Sequence, residues 1–309
     1  MIIHEGYENL NLIAPVATLG IFDGVHRGHL ALLDCLVSRA QEEKGESVVI
    51  TFSPHPRLVL EQNNINLSFL TTIQEKKVLL ESAKVDHLIV IEFTNEFSKI
   101  PACDFIKDIL VEKIGTKHLI IGYDHHFGIR GEGDFNTIKK CSEAFGFRVE
   151  QVQGYHTEEG AISSSSIREA LLKGKLDEAN KWLGYSYSIT GSIIEGRKIG
   201  RTIGFPTANI IPDSKHKLIP CNGVYAVEVQ LDNEVYPGML SIGSNPTVNA
   251  DTRLRSIEVH ILNFDNNVYG RKISIIFRKR LRDEKKFDNL EQLTEQMVLD
   301  KQNTLRLLT

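Results

Sequence analysis

The chain has 309 residues, 41% of them hydrophobic and 25% charged, which excludes a disordered or fibrous protein and favours two folded domains over one core. A formal net charge of -4 excludes any global attraction to nucleic acid or an anionic membrane, so anion binding must come from local sites. The opening MIIHEGYENL lacks a basic stretch followed by an apolar core, and no apolar run nears the roughly 20 residues that span a bilayer, so neither a secretory leader nor a membrane partner is expected.

Up to Val152 the chain alternates short apolar runs with longer amphipathic stretches. The runs are Ala14–Ile21, Ser47–Phe52, His87–Phe93, Lys117–Gly122 and Phe147–Val152. The amphipathic stretches are Gly28–Glu43, Thr72–Ala83, Ala102–Ile114 and Asp134–Phe145. This alternation predicts an α/β domain, a parallel sheet wrapped by helices, with ligands beyond the carboxyl ends of the strands. After a helical piece containing Trp182 the pattern changes. Strand-like segments follow at Tyr187–Ile194, Gly223–Leu231, Gly238–Ile242, Arg255–Leu262 and Arg271–Lys279, separated in places by turn chemistry such as Asp232-Asn233. Helical spacing returns over Asn289–Leu308. The boundary is expected at Gly184, giving domains 1–184 and 185–309. The four cysteines, Cys35, Cys103, Cys141 and Cys221, show no C-x-x-C pair and are expected as reduced thiols in a cytoplasmic protein.

The turn after the first apolar run reads GIFDGVHRGH, Gly20 to His29. Its glycines let backbone approach a phosphate, and the following helix offers free N–H groups and a positive dipole end. His26 and His29 fall on one side of the first helical turn. As residues alone they suit phosphate binding, metal ligation or a structural role. Two further stretches stand at predicted strand ends: GYDHHFG, containing Asp124, and ISSSSIR, where Ser164 and Arg168 open a helix. By itself the second reads as a capped helix with a solvated arginine.

Together GIFDGVHRGH, TFSPHPR (Thr51–Arg57), GYDHHFG and ISSSSIR resemble the H-x-G-H nucleotidyltransferases, and most closely the adenylyltransferase module of the bacterial bifunctional riboflavin kinase/FAD synthetase family. The resemblance implies a Rossmann-like N-terminal domain that transfers the adenylyl group of ATP to FMN. It places His26, His29 and Arg168 in catalysis. Gly20, Phe22, Asp23, Gly24, Gly28, Asp124 and Ser164 are then expected at ATP or flavin, with Asp23 either orienting the turn or acting through a metal. In the second domain, GRTIGFPTAN (Gly200–Asn209), GVYAVEV, GMLSIGSNPT, SIEVHIL and FRKRLRDEKKF are similar, in family order, to riboflavin kinase. That similarity implies a six-stranded β-barrel with a C-terminal helix, phosphorylating riboflavin with ATP and Mg²⁺. Gly200, Arg201, Gly204 and Pro206 are expected to bind, Thr207 and Asn209 to hold the metal, and Glu258 to act as base. Without the resemblance, Glu258 reads as a solvent-facing strand residue and GRTIGFPTAN as a turn, with Lys198 and Arg201 a solvated basic turn.

The ligands implied are riboflavin, FMN, ATP and FAD, with no nucleic acid; oligomeric state is not legible. His125, Ser165 and Asn245 depart from the commoner phenylalanine, threonine and arginine of the family. Two alternatives therefore stay open: a chain with one inactive half, and a flavin-binding protein without turnover.

Overall fold

The computed structural model describes residues 1–61, 67–123, 127–153, 156–157, 160–195, 200, 203–244 and 255–308. It separates into two compact units, Met1–Ser164 and Ser165–Thr309.

The first unit is built on a six-stranded sheet whose neighbours all run parallel. In chain order its elements are β1 (Ile2–Glu5), β2 (Val16–Leu19), α1 (Arg27–Glu42), β3 (Ser47–Ser53), α2 (Pro56–Leu60), α3 (Ile73–Ser82), β4 (His87–Glu92), α4 (Ala102–Asp104), β5 (His118–Gly122), α5 (Phe135–Phe145) and β6 (Arg148–Val152). Helical winding continues past α4 through Val111 with wider, π-type hydrogen bonding. The strands are ordered β1-β4-β3-β2-β5-β6.

Successive residues of each central strand serve opposite cores. Ala17, Leu19, Val48, Ile50, Leu119 and Ile121 pack under α5 and the helical segment after Ala102. Val16, Val49, Leu88, Val90 and Ile120 pack against α1 and α3. Burial on both faces is why these strands read as unbroken apolar runs rather than as alternation. Leu33 and Leu36 of α1 are completely buried, each contributing about 1.5–3 kcal/mol of apolar transfer.

Within this six-stranded sheet, β1 is the strand the sequence pattern does not announce. It is four residues long, lies at the sheet edge against β4, and leaves Ile2 and Ile3 exposed, so its apolar residues mark no core. The expectation of four reduced thiols also needs correction, because Cys103 and Cys141 form a disulfide across 38 residues of chain, leaving Cys35 and Cys221 free. Two helical segments packed on one face of the sheet bring them together, a proximity that sequence spacing does not encode.

A two-strand ribbon, β7 (His156–Thr157) and β8 (Gly160–Ala161), precedes α6 (Ser164–Leu172) and α7 (Leu176–Leu183), which ends on Gly184 in the left-handed region at φ 83°. The second unit continues with β9 (Ser188–Ile194), β10 (Ala208–Pro212), β11 (Gly223–Leu231), β12 (Glu234–Ser244), β13 (Arg255–Ile261), β14 (Lys272–Arg282) and α8 (Leu290–Leu308). Its strands close into an antiparallel barrel in the order β10-β13-β12-β11-β14-β9. The two-residue Asp232-Asn233 turn joins β11 to β12, with Leu231 opposite Glu234. Met297 and Leu305 of α8 pack against Phe205, Met239 and Leu262, and Asp300 takes the Arg282 guanidinium through bonds of 3.0 and 2.8 Å. Among the described residues no helix is long and apolar enough to cross a membrane.

Candidate active sites

The fully buried strand β2 delivers the chain to the carboxyl end of the sheet, and the turn from Gly20 to His26 begins there. Its path is unusual: Phe22, Gly24 and Val25 all have positive φ, at 49°, 85° and 36°. Two of the three are not glycine, so the conformation must be held from outside. The segment leading into α3 supplies the hold. Asp23 Oδ1 accepts the backbone N–H groups of Leu70 at 2.8 Å and Thr71 at 3.1 Å, and the Gly24 N–H donates to Thr71 Oγ1 at 3.0 Å. Asp23 is itself buried, 5% exposed, and these bonds satisfy a carboxylate that would otherwise be costly there. They support the orienting role for Asp23. From α3, Lys76 Nζ reaches the Ile21 carbonyl at 2.5 Å.

His26 is the N-cap of α1, and its Nδ1 accepts the His29 N–H at 3.4 Å. A neutral His26 therefore carries its proton on Nε2, which remains a donor. The two imidazoles stack at 3.7 Å between centroids, and the Phe22 ring meets His29 edge-on at 5.1 Å. Burial, then the neighbouring His26 and Lys76, hold His29 well below the usual histidine range. His29 Nδ1 is buried with no hydrogen-bond partner among the described residues. A Cβ on Gly28 would come within 3.2 Å of the His26 ring, so the glycine between the histidines lets the imidazole lie over the helix start.

Ser164 joins this turn, its Oγ donating to the Asp23 carbonyl at 2.8 Å. Arg168, one turn on in α6, donates to Ser165 Oγ at 3.0 Å. Beside the turn opens a cavity of about 500 Å³ lined by Gly20, Ile21, Phe52, Phe93, Phe97 and Phe127, among others. Phe52, Phe93 and Phe97 form a cluster with centroids 5.7 Å apart. Asp124 and His125 lie outside the described residues.

In the barrel, Phe205 N–H bonds to the Gly200 carbonyl at 2.8 Å, and a Cβ on Gly200 would run into the Phe205 carbonyl oxygen. Gly204 takes φ 80° in the same tight loop. The loop delivers Pro206, whose carbonyl meets His260 Nδ1 at 2.7 Å, and then Thr207. Thr207 Oγ1 donates to Glu258 Oε2 at 3.2 Å, and Asn209 stands directly opposite Glu258 in the β10–β13 ladder. Thr207, Asn209 and Glu258 thus bring a hydroxyl, an amide and a carboxylate to one place, a hard-oxygen set that fits Mg²⁺ sharing its shell with phosphates and water. A cavity of about 570 Å³ adjoins them, lined by Glu195, Pro206, Thr207, Asp265, Asn267 and Tyr269, among others. Lys198, Arg201 and Asn245 lie outside the described residues.

The sequence reading missed Lys76, the Thr71 anchor and the aromatic cavity. For Lys76 a signal existed: with Ile73 and Leu80 it lies at helical spacing on the side of α3 that faces the core.

A parallel sheet with an H-x-G-H turn at its carboxyl end, in one chain with a closed barrel carrying Thr207, Asn209 and Glu258, defines a fused nucleotidyltransferase and kinase. The FAD synthetase family model matches residues 10–166, and the riboflavin kinase family model matches residues 183–308. A bifunctional riboflavin kinase/FMN adenylyltransferase from Listeria monocytogenes is 39% identical, over 94% of this chain and 92% of its own length. The enzyme of that description from Escherichia coli K12 is 38% identical, over 96% and 94%. Among solved structures, one from Streptococcus pneumoniae, described as a macrolide-efflux protein, superposes with a TM-score of 0.89 at 30% identity over 98% of both chains. The chain belongs to the bifunctional riboflavin kinase/FMN adenylyltransferase family.

Proposed function

We propose that adenylyl transfer takes place at the His26–His29 turn and riboflavin phosphorylation at the Thr207–Asn209–Glu258 cluster, both in the cytoplasm, with the domain divide at Gly184. The observation that carries this reading is the pairing, in each unit, of a polar cluster with an adjoining cavity large enough for a nucleotide or a flavin.

In the first reaction a phosphate oxygen of FMN attacks the α-phosphorus of ATP, forming the new P–O bond as the bond to pyrophosphate breaks. The nucleophile is already an anion, so the protein supplies position and positive potential rather than a base. His26 and His29 donate N–H groups to the triphosphate, His26 from the Nε2 that is left as donor while its Nδ1 accepts the His29 N–H. Ser164 and Arg168 assist at phosphates. Gly20, Phe22, Gly24 and Gly28 shape the turn, Asp23 orients it, and Asp124 binds nucleotide or flavin. The phenylalanine-lined cavity takes the flat isoalloxazine ring, which stacks on aromatic side chains.

In the second reaction the ribityl 5′-hydroxyl attacks the γ-phosphorus of ATP and ADP leaves. Glu258 accepts the hydroxyl proton as the P–O bond forms. Thr207 and Asn209 would hold Mg²⁺, which when bound offsets charge on the transferred phosphoryl group. Gly200, Arg201, Gly204 and Pro206 shape the nucleotide loop.

Product analysis tests the assignment. FMN with ATP should give equal amounts of FAD and pyrophosphate, and riboflavin with ATP and Mg²⁺ should give FMN and ADP. Failure of both conversions in folded protein would leave the reading without support.

A further inference from the structure

Lys76 is 6% exposed, yet it carries a cation into the layer between α3 and the sheet. A buried ammonium is costly unless it is bonded and placed to some purpose. Its Nζ donates to the Ile21 carbonyl at 2.5 Å and to Thr51 Oγ1 at 3.3 Å, while the Thr51 hydroxyl lies 3.4 Å from that same carbonyl. Ile21 directly precedes Phe22, where positive φ begins. The turn is thus fastened to the Leu70–Lys76 stretch at Ile21, Asp23 and Gly24. Asp23 and Gly24 are held by neutral groups, whereas the fastening at Ile21 is charged.

We propose that Lys76 is a positioning residue for adenylyl transfer, its ammonium locking the Ile21 carbonyl and lending positive potential from beneath to the His26–His29 pair. The inference rests on the reading of those histidines as the triphosphate site.

Charge, and not only a hydrogen bond, is at work. Lys76 is among the groups that hold His29 in its neutral form, so its field reaches that imidazole. In a site shielded from water such a field is several times stronger than at the surface. The titratable groups acting with Lys76 are Asp23 on the turn and His29 on α1; β3 presents the uncharged Thr51 hydroxyl, and Glu75 beside it on α3 accepts the Thr72 N–H. Burial pulls the ammonium down to about 8, against the Asp23 carboxylate, so the charge can be lost at an attainable pH.

The test is the pH dependence of kcat/KM for ATP in FAD formation from FMN, which reports ionisations of the free enzyme. Wild type, Lys76→Arg, Lys76→Met and His29→Ala are compared, with the riboflavin kinase rate of each chain as internal reference. Wild-type FAD synthesis should fall as pH rises through about 8. Lys76→Arg keeps its charge and should lose that fall. Lys76→Met should be slower on the order of 10²-fold below about pH 8, where the wild-type ammonium is charged, and the gap should narrow above it. Kinase rates should stay at the wild-type level in all. A flat wild-type profile through that range, or Lys76→Met at the wild-type kcat/KM, overturns the proposal. Should Lys76→Met fail to fold, the wild-type and Lys76→Arg profiles decide it. His29→Ala at the wild-type rate removes the triphosphate reading and this inference with it. His29→Ala impaired beside a normal Lys76→Met removes the role of Lys76 alone.

Discussion

The imidazole rings of His26 and His29 stack 3.7 Å apart and within 15° of parallel. At that distance two protonated rings repel strongly, and burial already disfavours charge on His29. His29 is therefore a neutral N–H donor, and the pair does not carry two formal cations.

One consequence is an acid sensitivity with a defined sign. Folded His29 binds a proton less readily than the unfolded chain, whose histidines titrate near 6.5. The stability linked to it is fully present above 6.5 and declines as pH falls below that value. Thermal midpoints measured across the acid range should drop in wild type and drop less in His29→Ala. His4 and His260, whose affinities are also lowered, chiefly by burial, add to the slope that remains, as do carboxylates held low by a partner, such as Glu150 bonded to Arg39. Equal slopes in the two proteins would contradict the assignment.

Asp23 should behave as a structural anchor of the turn. Asp23→Ala strips the Leu70 and Thr71 N–H groups of their acceptor, at about 1–3 kcal/mol for each group left unsatisfied. Asp23→Asn keeps an acceptor oxygen and should lose less. Denaturant unfolding should rank the stabilities wild type, Asn, Ala, with FAD synthesis falling in that order and FMN synthesis untouched.

How far the sequence reveals such relationships depends on the range of the signal. The central strands and α1, α3, α5 and α8 are legible because local periodicity carries them, and β11 runs over the Gly223–Leu231 span that its pattern predicts. β10 is not legible, since Pro206 and the turn-like GRTIGFPTAN mask a strand that begins only at Ala208. Glu258 alternates like a surface residue; its meaning comes from Asn209 across the ladder, a pairing made at a sequence distance no local pattern spans. The Cys103–Cys141 pairing has the same non-local origin, and so does the bond from Lys76 to the Ile21 carbonyl, although helical spacing already sets Lys76 on the core side of α3.

For the barrel site, Glu258→Gln keeps the shape of the side chain and removes the base. Riboflavin phosphorylation should slow by about 10²–10⁴-fold, while FAD formation from supplied FMN proceeds at the wild-type rate. A normal kinase rate in this variant would exclude Glu258 as the proton acceptor.

The link between α8 and the barrel should be sensitive to its charged contact. Asp300 is 3% exposed and takes two donors from Arg282, so Asp300→Ala leaves that guanidinium only its bond to the Asp283 carbonyl and should destabilise the barrel by about 1–3 kcal/mol. Replacing both partners by apolar residues should recover much of that loss. The double variant, compared with each single one in denaturant unfolding, gives the coupling directly.

The most direct test of two independent sites in one chain is a time course with riboflavin, ATP and Mg²⁺, separating riboflavin, FMN and FAD, run on wild type, His29→Ala and Glu258→Gln. Wild type should show FMN first and FAD after it. His29→Ala should stop at FMN, and Glu258→Gln should make FAD only when FMN is supplied. Loss of FMN synthesis in His29→Ala, or FAD formed from riboflavin at the normal rate in either variant, would contradict the account.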